Sequence, residues 1–178
     1  MPLIVLSLRW KHAANLSGTV RFNKATLFSW LYFFARINQI GKLSVQDTVQ
    51  LILFIEEGKA KAREGAALPI SNDLVHTQTF SRLLLLFHDR ATSRVGDVSS
   101  VMVRDYVLWV GLLLYGKSST KDFPWKSESC ELRTAADILE TLDRWRSEDT
   151  DSEGGQLSSS FGTLVDEQLR QRNWGVNL

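Results

Sequence analysis

The stretch ELRTAADILETLDRWR, residues 131–146, indicates the structural class of the chain most directly. Its apolar side chains recur three and four positions apart, which places them on one face of a helix. They are Leu132, Ala135, Ile138, Leu139, Leu142 and Trp145. Polar and charged residues fill the opposite face, so the pattern predicts an amphipathic helix that packs against a core.

Two further helices are predicted upstream of this stretch. Residues 24–40 place apolar side chains at helical spacing and are followed by Gly41, a common helix stop. Residues 44–63 begin with Ser44 and carry Asp47 three positions later, which resembles a capping box with Asp in place of Glu. Both segments therefore have a helical period and a recognisable boundary.

Two apolar blocks, residues 83–87 and 101–115, follow a Gly- and Pro-containing break at residues 65–73. Short apolar runs fit a buried strand or a buried helix equally well, because periodicity alone does not distinguish them. The first block is left open between the two. The leucines that end the second block favour a helix there.

Short runs near the N-terminus predict strands at residues 3–10 and 18–22, which would pair as a hairpin. The predicted fold class is therefore α+β, mainly helical with a small N-terminal antiparallel sheet. Residues 1–146 are predicted to form one compact domain. An acidic, Ser- and Gly-rich flexible linker at 147–160 and a helical tail at 161–178 follow it.

Composition indicates a folded chain in a reducing compartment. Hydrophobic residues make up 44% and charged residues 23% of 178 residues, which excludes general disorder. Cys130 is the one cysteine, so no intramolecular disulfide can form. The apolar N-terminus precedes Arg9 and Lys11, the reverse of a signal peptide, and the apolar runs are shorter than the about 20 residues of a membrane span. An intracellular, cytoplasmic protein is expected.

Charge is distributed unevenly although the net charge is only +1. Residues 1–120 hold 14 Lys and Arg against 8 Asp and Glu, whereas residues 121–178 hold 7 against 12. A basic body of this kind is expected to bind RNA or an anionic membrane surface. The residues expected to form the basic surface are Arg9, Lys11, Lys59, Lys61 and Arg63. Two aromatic residues are expected to contact partners, namely Trp125 and Trp174.

One motif has the spacing of a phosphate-binding loop, Gly111 to Ser118 with Lys117. Its middle residues are three leucines and a tyrosine, which favour burial over wrapping a phosphate, so an NTP-binding protein remains the remote alternative. The histidines lack metal-ligand spacing, and no nucleophile motif is present. We therefore expect no catalytic, cofactor-binding or metal-binding residues, and no enzymatic activity.

The organisation of the first third of the chain resembles the globular core of rhabdovirus matrix proteins, of the short plant-infecting type. The likeness is carried by Gly18-Thr-Val-Arg-Phe22, followed by Leu27-Phe-Ser-Trp-Leu31, and by the helix pair that includes the second stretch. The chain has three prolines and lacks the Pro-rich budding motif found in many members.

This resemblance implies a viral structural protein that is peripheral to the membrane. Such a protein condenses the nucleocapsid and bridges it to the envelope, which requires self-association as a homo-oligomer and places it in the virion. The alternative from the residues is an intracellular viral accessory or silencing-suppressor module, which would bind partner proteins through an apolar helical surface.

Overall fold

A computed structural model describes residues 23–40, 43–68, 74–93, 95–118, 129–148 and 159–175. Within these ranges the chain forms six α-helices. They are α1 (Lys24–Ile40), α2 (Val45–Arg63), α3 (Leu74–Thr92), α4 (Val98–Ser118), α5 (Cys130–Glu148) and α6 (Ser159–Gln171).

The predicted α+β class is wrong, because the described residues are helical and include no strand. The predicted strands at 3–10 and 18–22 lie outside the described residues. Block 83–87, whose sequence fits a strand or a helix, lies within α3. Block 101–115 lies within α4, which confirms the predicted helix there. Valines and other β-formers in α4 are held in a helix because burial outweighs their intrinsic preference.

The helix starts follow the capping signals of the sequence. Ser44 is the N-cap of α2 and its Oγ accepts from the Asp47 backbone N–H at 3.1 Å, which confirms the predicted cap. Asn23 and Ser129 cap α1 and α5 in the same way. The side-chain oxygen of each accepts a hydrogen bond from the backbone N–H three residues later. Each side chain satisfies an otherwise unpaired backbone donor of the first turn.

Helix α4 is the centre of the bundle and packs against each of the other five helices. All residues from 103 to 112 are buried. Among the described helices, α4 also has the length and apolar composition to cross a membrane, over Val98–Gly116. Most of that segment is buried inside the bundle, which is the setting of a core helix.

Helices α2 and α3 run in the same direction, antiparallel to α4. A Cβ at Gly58 would touch Leu84, and Lys59 Nζ lies over the ring of Phe87. Further along, Arg63 acts electrostatically on His88. The C-terminal ends of α2 and α3 therefore lie at the same end of the bundle.

Helix α6 belongs to the same core as the preceding helices, although it follows the predicted linker. Its buried residues Phe161, Val165 and Leu169 join the main hydrophobic cluster, and α6 packs against α4 and α5. The described residues 159–175 therefore do not stand apart as a free tail. Most of the predicted linker, residues 149–158, lies outside the described ranges.

Candidate functional site

Three large apolar side chains are exposed where α1 begins and where α3 turns into α4. Phe28 is 58% exposed, Val95 43% and Val98 73%. Arg104 joins the two parts, because its Nε donates to Ser29 Oγ at 2.9 Å and its Nη2 donates to the Val95 carbonyl at 3.1 Å. We refer to Phe28, Val95 and Val98 as the exposed end.

The chain enters the bundle beside the exposed end. Asn23 Nδ2 donates to the carbonyl of Ala91 at 3.0 Å, which fixes the start of α1 against the end of α3. Residues 1–24 contain no acidic residue and four cations, at Arg9, Lys11, Arg21 and Lys24. Two of the predicted basic residues, Arg9 and Lys11, lie in the part of this segment outside the described residues.

Lys59 does not belong to a basic surface, which corrects the prediction for this residue. It is 8% exposed, with Nζ 2.6 Å from Glu56 Oε2 and 4.5 Å from the ring centroid of Phe87. Burial lowers the pKa of Lys59, although Glu56 favours the charged form. Glu56 also accepts from Trp30 Nε1 at 2.9 Å. The Lys59 ammonium therefore pairs with the Glu56 carboxylate inside the bundle.

Lys61 and Arg63 are the described members of the predicted basic surface that reach solvent. Lys61 is half-buried and Arg63 is exposed, both in the last turn of α2. In α3, burial lowers the pKa of His88, and the charges of Arg63 and Lys59 lower it further. Lys61 and Arg63 therefore lie where α2 and α3 end, beside the exposed acids Glu64 and Asp89.

A buried carboxylate joins three parts of the molecule. Asp105 in α4 is 2% exposed, and its Oδ2 lies 2.5 Å from Arg36 Nη1 and accepts from Trp174 Nε1 at 3.1 Å. Burial raises the pKa of Asp105 to about 6, and the contacts with Arg36 and Trp174 oppose the rise. Arg36 also lies over the ring of Trp109, 5.3 Å from its centroid.

Trp174 is not a surface contact, which corrects a second prediction. It is 5% exposed and packs edge-to-face on Tyr106, with ring centroids 5.5 Å apart. Its position follows from a turn after α6, in which Asn173 adopts a positive φ of 52° and the Trp174 N–H donates to the Leu169 carbonyl at 2.8 Å. The other predicted contact residue, Trp125, lies outside the described residues.

The phosphate-loop spacing does not form a phosphate loop. Residues 111–118 continue α4 to its last turn, so their backbone amides belong to the helix. A Cβ added to Gly111 would lie 2.5 Å from Ile55 Cδ1. Glycine at this position therefore permits the close approach of α2 and α4. Helix packing accounts for the first glycine of the motif.

Sequence reasoning missed the two buried charges of α4. Arg104 is 1% exposed and donates to neutral oxygens, including the Arg90 carbonyl at 2.6 Å. Asp105 follows it directly. An adjacent Arg and Asp within a long apolar helix was the available signal, since a buried charge requires a partner. Within the part of the chain that the structure describes, no three His, Cys, Asp or Glu residues are placed to hold a metal ion.

Comparison with known proteins returned no match to a family model, to a curated protein or to a solved structure.

Proposed function

We propose that the protein is a non-enzymatic structural protein of the matrix type. It would join a nucleocapsid to an anionic membrane surface and associate with copies of itself, acting in the cytoplasm and within a virion. The proposal combines the resemblance of the first third of the chain with the charge distribution of the whole chain and the surface of the bundle.

The observation that carries the proposal is that apolar and cationic groups meet at one end of the bundle. The exposed end, the start of α1 and the last turns of α2 and α3 lie there. Asn23 and Lys24 lie at the same end, and residues 1–22, which precede them in the sequence, contain no acidic residue. The charge of Arg63 lowers the pKa of His88, and Asn23 donates a hydrogen bond to the Ala91 carbonyl. The end of α2 and the start of α1 therefore both lie close to the end of α3.

This combination suits a lipid surface that carries negative charge. Each Lys or Arg near such a surface contributes about 1 kcal/mol, and an exposed aromatic side chain adds burial of apolar area. Glu64, Asp89 and Asp97 are also exposed at this end and oppose the attraction. The net attraction therefore depends mainly on the cations of residues 1–24, with Lys61 and Arg63 in support.

Co-sedimentation with vesicles of phosphatidylcholine, with and without phosphatidylserine, tests the membrane part. We expect binding only with phosphatidylserine, falling steeply as salt rises because the charges are exposed. The variant Arg9→Glu/Lys11→Glu should lose most binding, and Lys61→Glu/Arg63→Glu a smaller share. Phe28→Ser/Val98→Ser should weaken binding and leave its salt dependence unchanged.

The matched control is Arg144→Glu, which reverses an exposed charge near the beginning of α3, at the opposite end of the bundle. It should bind vesicles as the unchanged protein does. Absence of vesicle binding at low ionic strength, or equal loss in the control variant, would overturn the membrane assignment.

The nucleocapsid and self-association parts require separate measurements. Co-sedimentation with single-stranded RNA tests direct nucleic-acid binding, and light scattering after size exclusion tests oligomer formation with and without vesicles. A chain that stays monomeric under all conditions and binds a protein partner independently of salt would instead support the interaction-module alternative.

A further inference from the structure

Residues 159–175 fold back onto the bundle as one segment, which we call the C-terminal strap. The strap comprises α6 and the turn that follows it. Its apolar side is buried at Phe161, Val165 and Leu169, and its last described turn delivers Trp174 to Asp105. The strap therefore covers the part of α4 that carries the buried carboxylate.

The polar contacts of the strap differ in their exposure. Arg90 Nη2 lies 3.1 Å from Asp166 Oδ2, with both side chains partly exposed. Arg172 lies 3.5 Å from Asp137, and there the side chains are 38% and 59% exposed. The exposed pair of Arg172 and Asp137 contributes little to stability because water and salt screen it, whereas the pair of Arg90 and Asp166 is screened less. The contact with Asp105 is buried, so its energy depends strongly on the charge of the carboxyl group.

We propose that Asp105 acts as a proton-dependent clasp for the C-terminal strap, which is held most firmly when the carboxyl is protonated and loosens when it ionises. The reason is geometric. With the strap closed, the Asp105 carboxylate is buried and bonded to Trp174, whereas opening at Trp174 would let water reach it. An ionised carboxylate gains more from that water than a neutral acid does.

The contacts of Asp105 with Arg36 and Trp174 favour the ionised carboxylate, so they oppose this direction, which burial of the carboxyl group decides. Arg36 of α1 pairs with Asp105, and Glu131 of α5 lies 3.7 Å from Arg36 on its other side. Burial raises the pKa of Tyr32 of α1, while the charge of Arg36 lowers it and that of Asp105 raises it. On the strap itself, Trp174 supplies a neutral donor.

The direction of the pH dependence follows from the pKa of Asp105 in the closed state. Burial raises the pKa of Asp105 to about 6, above its ordinary value of 3.8. Opening would return it towards that value, so protons bind the closed state more tightly. Closure is therefore favoured at low pH and lost as the pH rises through about 6. Full hydration on opening would raise the opening equilibrium about tenfold between about pH 5 and about pH 7.5.

The test is hydrogen exchange followed by mass spectrometry on the full chain, with rates corrected for the intrinsic pH dependence of exchange. Peptides from residues 159–175 report on the strap, and peptides from residues 103–112 report on global opening. We expect strap protection to fall about tenfold from about pH 5 to about pH 7.5 while protection of the α4 peptides changes less. Asp105→Asn should abolish that dependence.

Asp137→Asn is the matched control, since it removes a carboxylate that contacts the strap from an exposed position. It should keep the pH dependence of the unchanged chain. Trp174→Phe gives a second measure, because it retains a ring and removes the donor, and should lower strap protection without changing α4.

Strap protection that does not vary with pH, that rises with pH, or that varies equally in Asp105→Asn would overturn the proposal. The proposal does not depend on the proposed function, because it concerns the closure of this chain on itself. Failure of vesicle or RNA binding would leave the exchange result unaffected.

Discussion

Asn173 determines at the scale of one residue how the chain returns to the bundle after α6. Its backbone φ of 52° lies in the left-handed region, which Asn adopts more readily than most residues. The Asn173 N–H donates to the Arg170 carbonyl at 3.0 Å, and the next N–H bonds to Leu169, which completes a Schellman turn. Without this turn, Trp174 could not reach Asp105.

Substitutions at Asn173 should separate backbone conformation from side-chain contact. Asn173→Gly should retain or slightly increase protection of the strap, because glycine adopts a positive φ without strain. Asn173→Val should lower strap stability by about 1–2 kcal/mol, since a β-branched residue is strained there. Hydrogen exchange of residues 159–175 measures both, and equal effects of the two substitutions would contradict this account.

Arg104 is a buried cation with a structural use. Its guanidinium donates to Ser29 Oγ and to the carbonyls of Arg90 and Val95. It thereby closes the end of α3 and attaches the start of α1 to α4. Burial lowers the pKa of Arg104 but not enough for a guanidinium to lose its proton near neutral pH.

Arg104→Lys should destabilise the protein by about 2 kcal/mol or more, because an ammonium cannot reach the three oxygens in the same planar geometry. Arg170→Lys, on the exposed side of α6, is the control and should change stability by less than about 0.5 kcal/mol. The free energy of unfolding in urea measures both. A loss in the first variant no larger than in the second would argue against the bonding role.

At the scale of elements, glycines set how closely α2 approaches its neighbours. A Cβ at Gly111 would lie 2.5 Å from the terminal Cδ1 of Ile55 and 2.9 Å from its Cγ1, which is bonded to the branching Cβ. A Cβ at Gly58 would lie 3.0 Å from the terminal Leu84 Cδ1, which can move more easily. The two contacts involve the same helix and differ mainly in how far the neighbour must shift.

Alanine at the two glycines should therefore have opposite consequences. Gly111→Ala should destabilise the fold by about 1–3 kcal/mol through overpacking, even though alanine favours the helix by about 1 kcal/mol. Gly58→Ala should be neutral or stabilising by up to about 1 kcal/mol, since Leu84 can adjust. Urea unfolding decides the matter, and a stabilising Gly111→Ala would show that α2 and α4 separate without cost.

At the scale of the whole molecule, the polar interior couples distant elements. Asp105 connects α1, α4 and the strap, and the pair of His76 and Asp143 connects α3 to α5. Lys59 and Glu56 are held between α2 and α3 in the same way. These buried contacts therefore hold together helices that lie far apart along the chain.

The free energy of global unfolding should depend on pH differently in the unchanged chain and in Asp105→Asn. Because the folded-state pKa of Asp105 is raised to about 6, the unchanged chain should gain stability relative to the variant as the pH falls through 6 towards 4. The expected gain over this range is about 2 kcal/mol. Urea unfolding of both proteins at each pH cancels the common carboxylates, and a constant difference would contradict the assignment.

Much of the local structure was predictable from the sequence. The helices at 24–40, 44–63 and 131–146 are confirmed, because their apolar spacing and capping residues are local properties. The N-cap at Ser44 is confirmed for the same reason. The sequence could not decide between helix and strand for block 83–87, because a short apolar run that is buried on several sides has no distinguishing period.

The sequence by itself determined which segments are helical where an amphipathic period existed, since side chains three and four apart share a helix face whatever surrounds them. Only the tertiary structure decided that Lys59 and Trp174 are buried, that Asp105 and Arg36 meet, and that the exposed end adjoins the cations of α2. These depend on residues far apart in the chain, because burial and electrostatic pairing are set by which elements pack together.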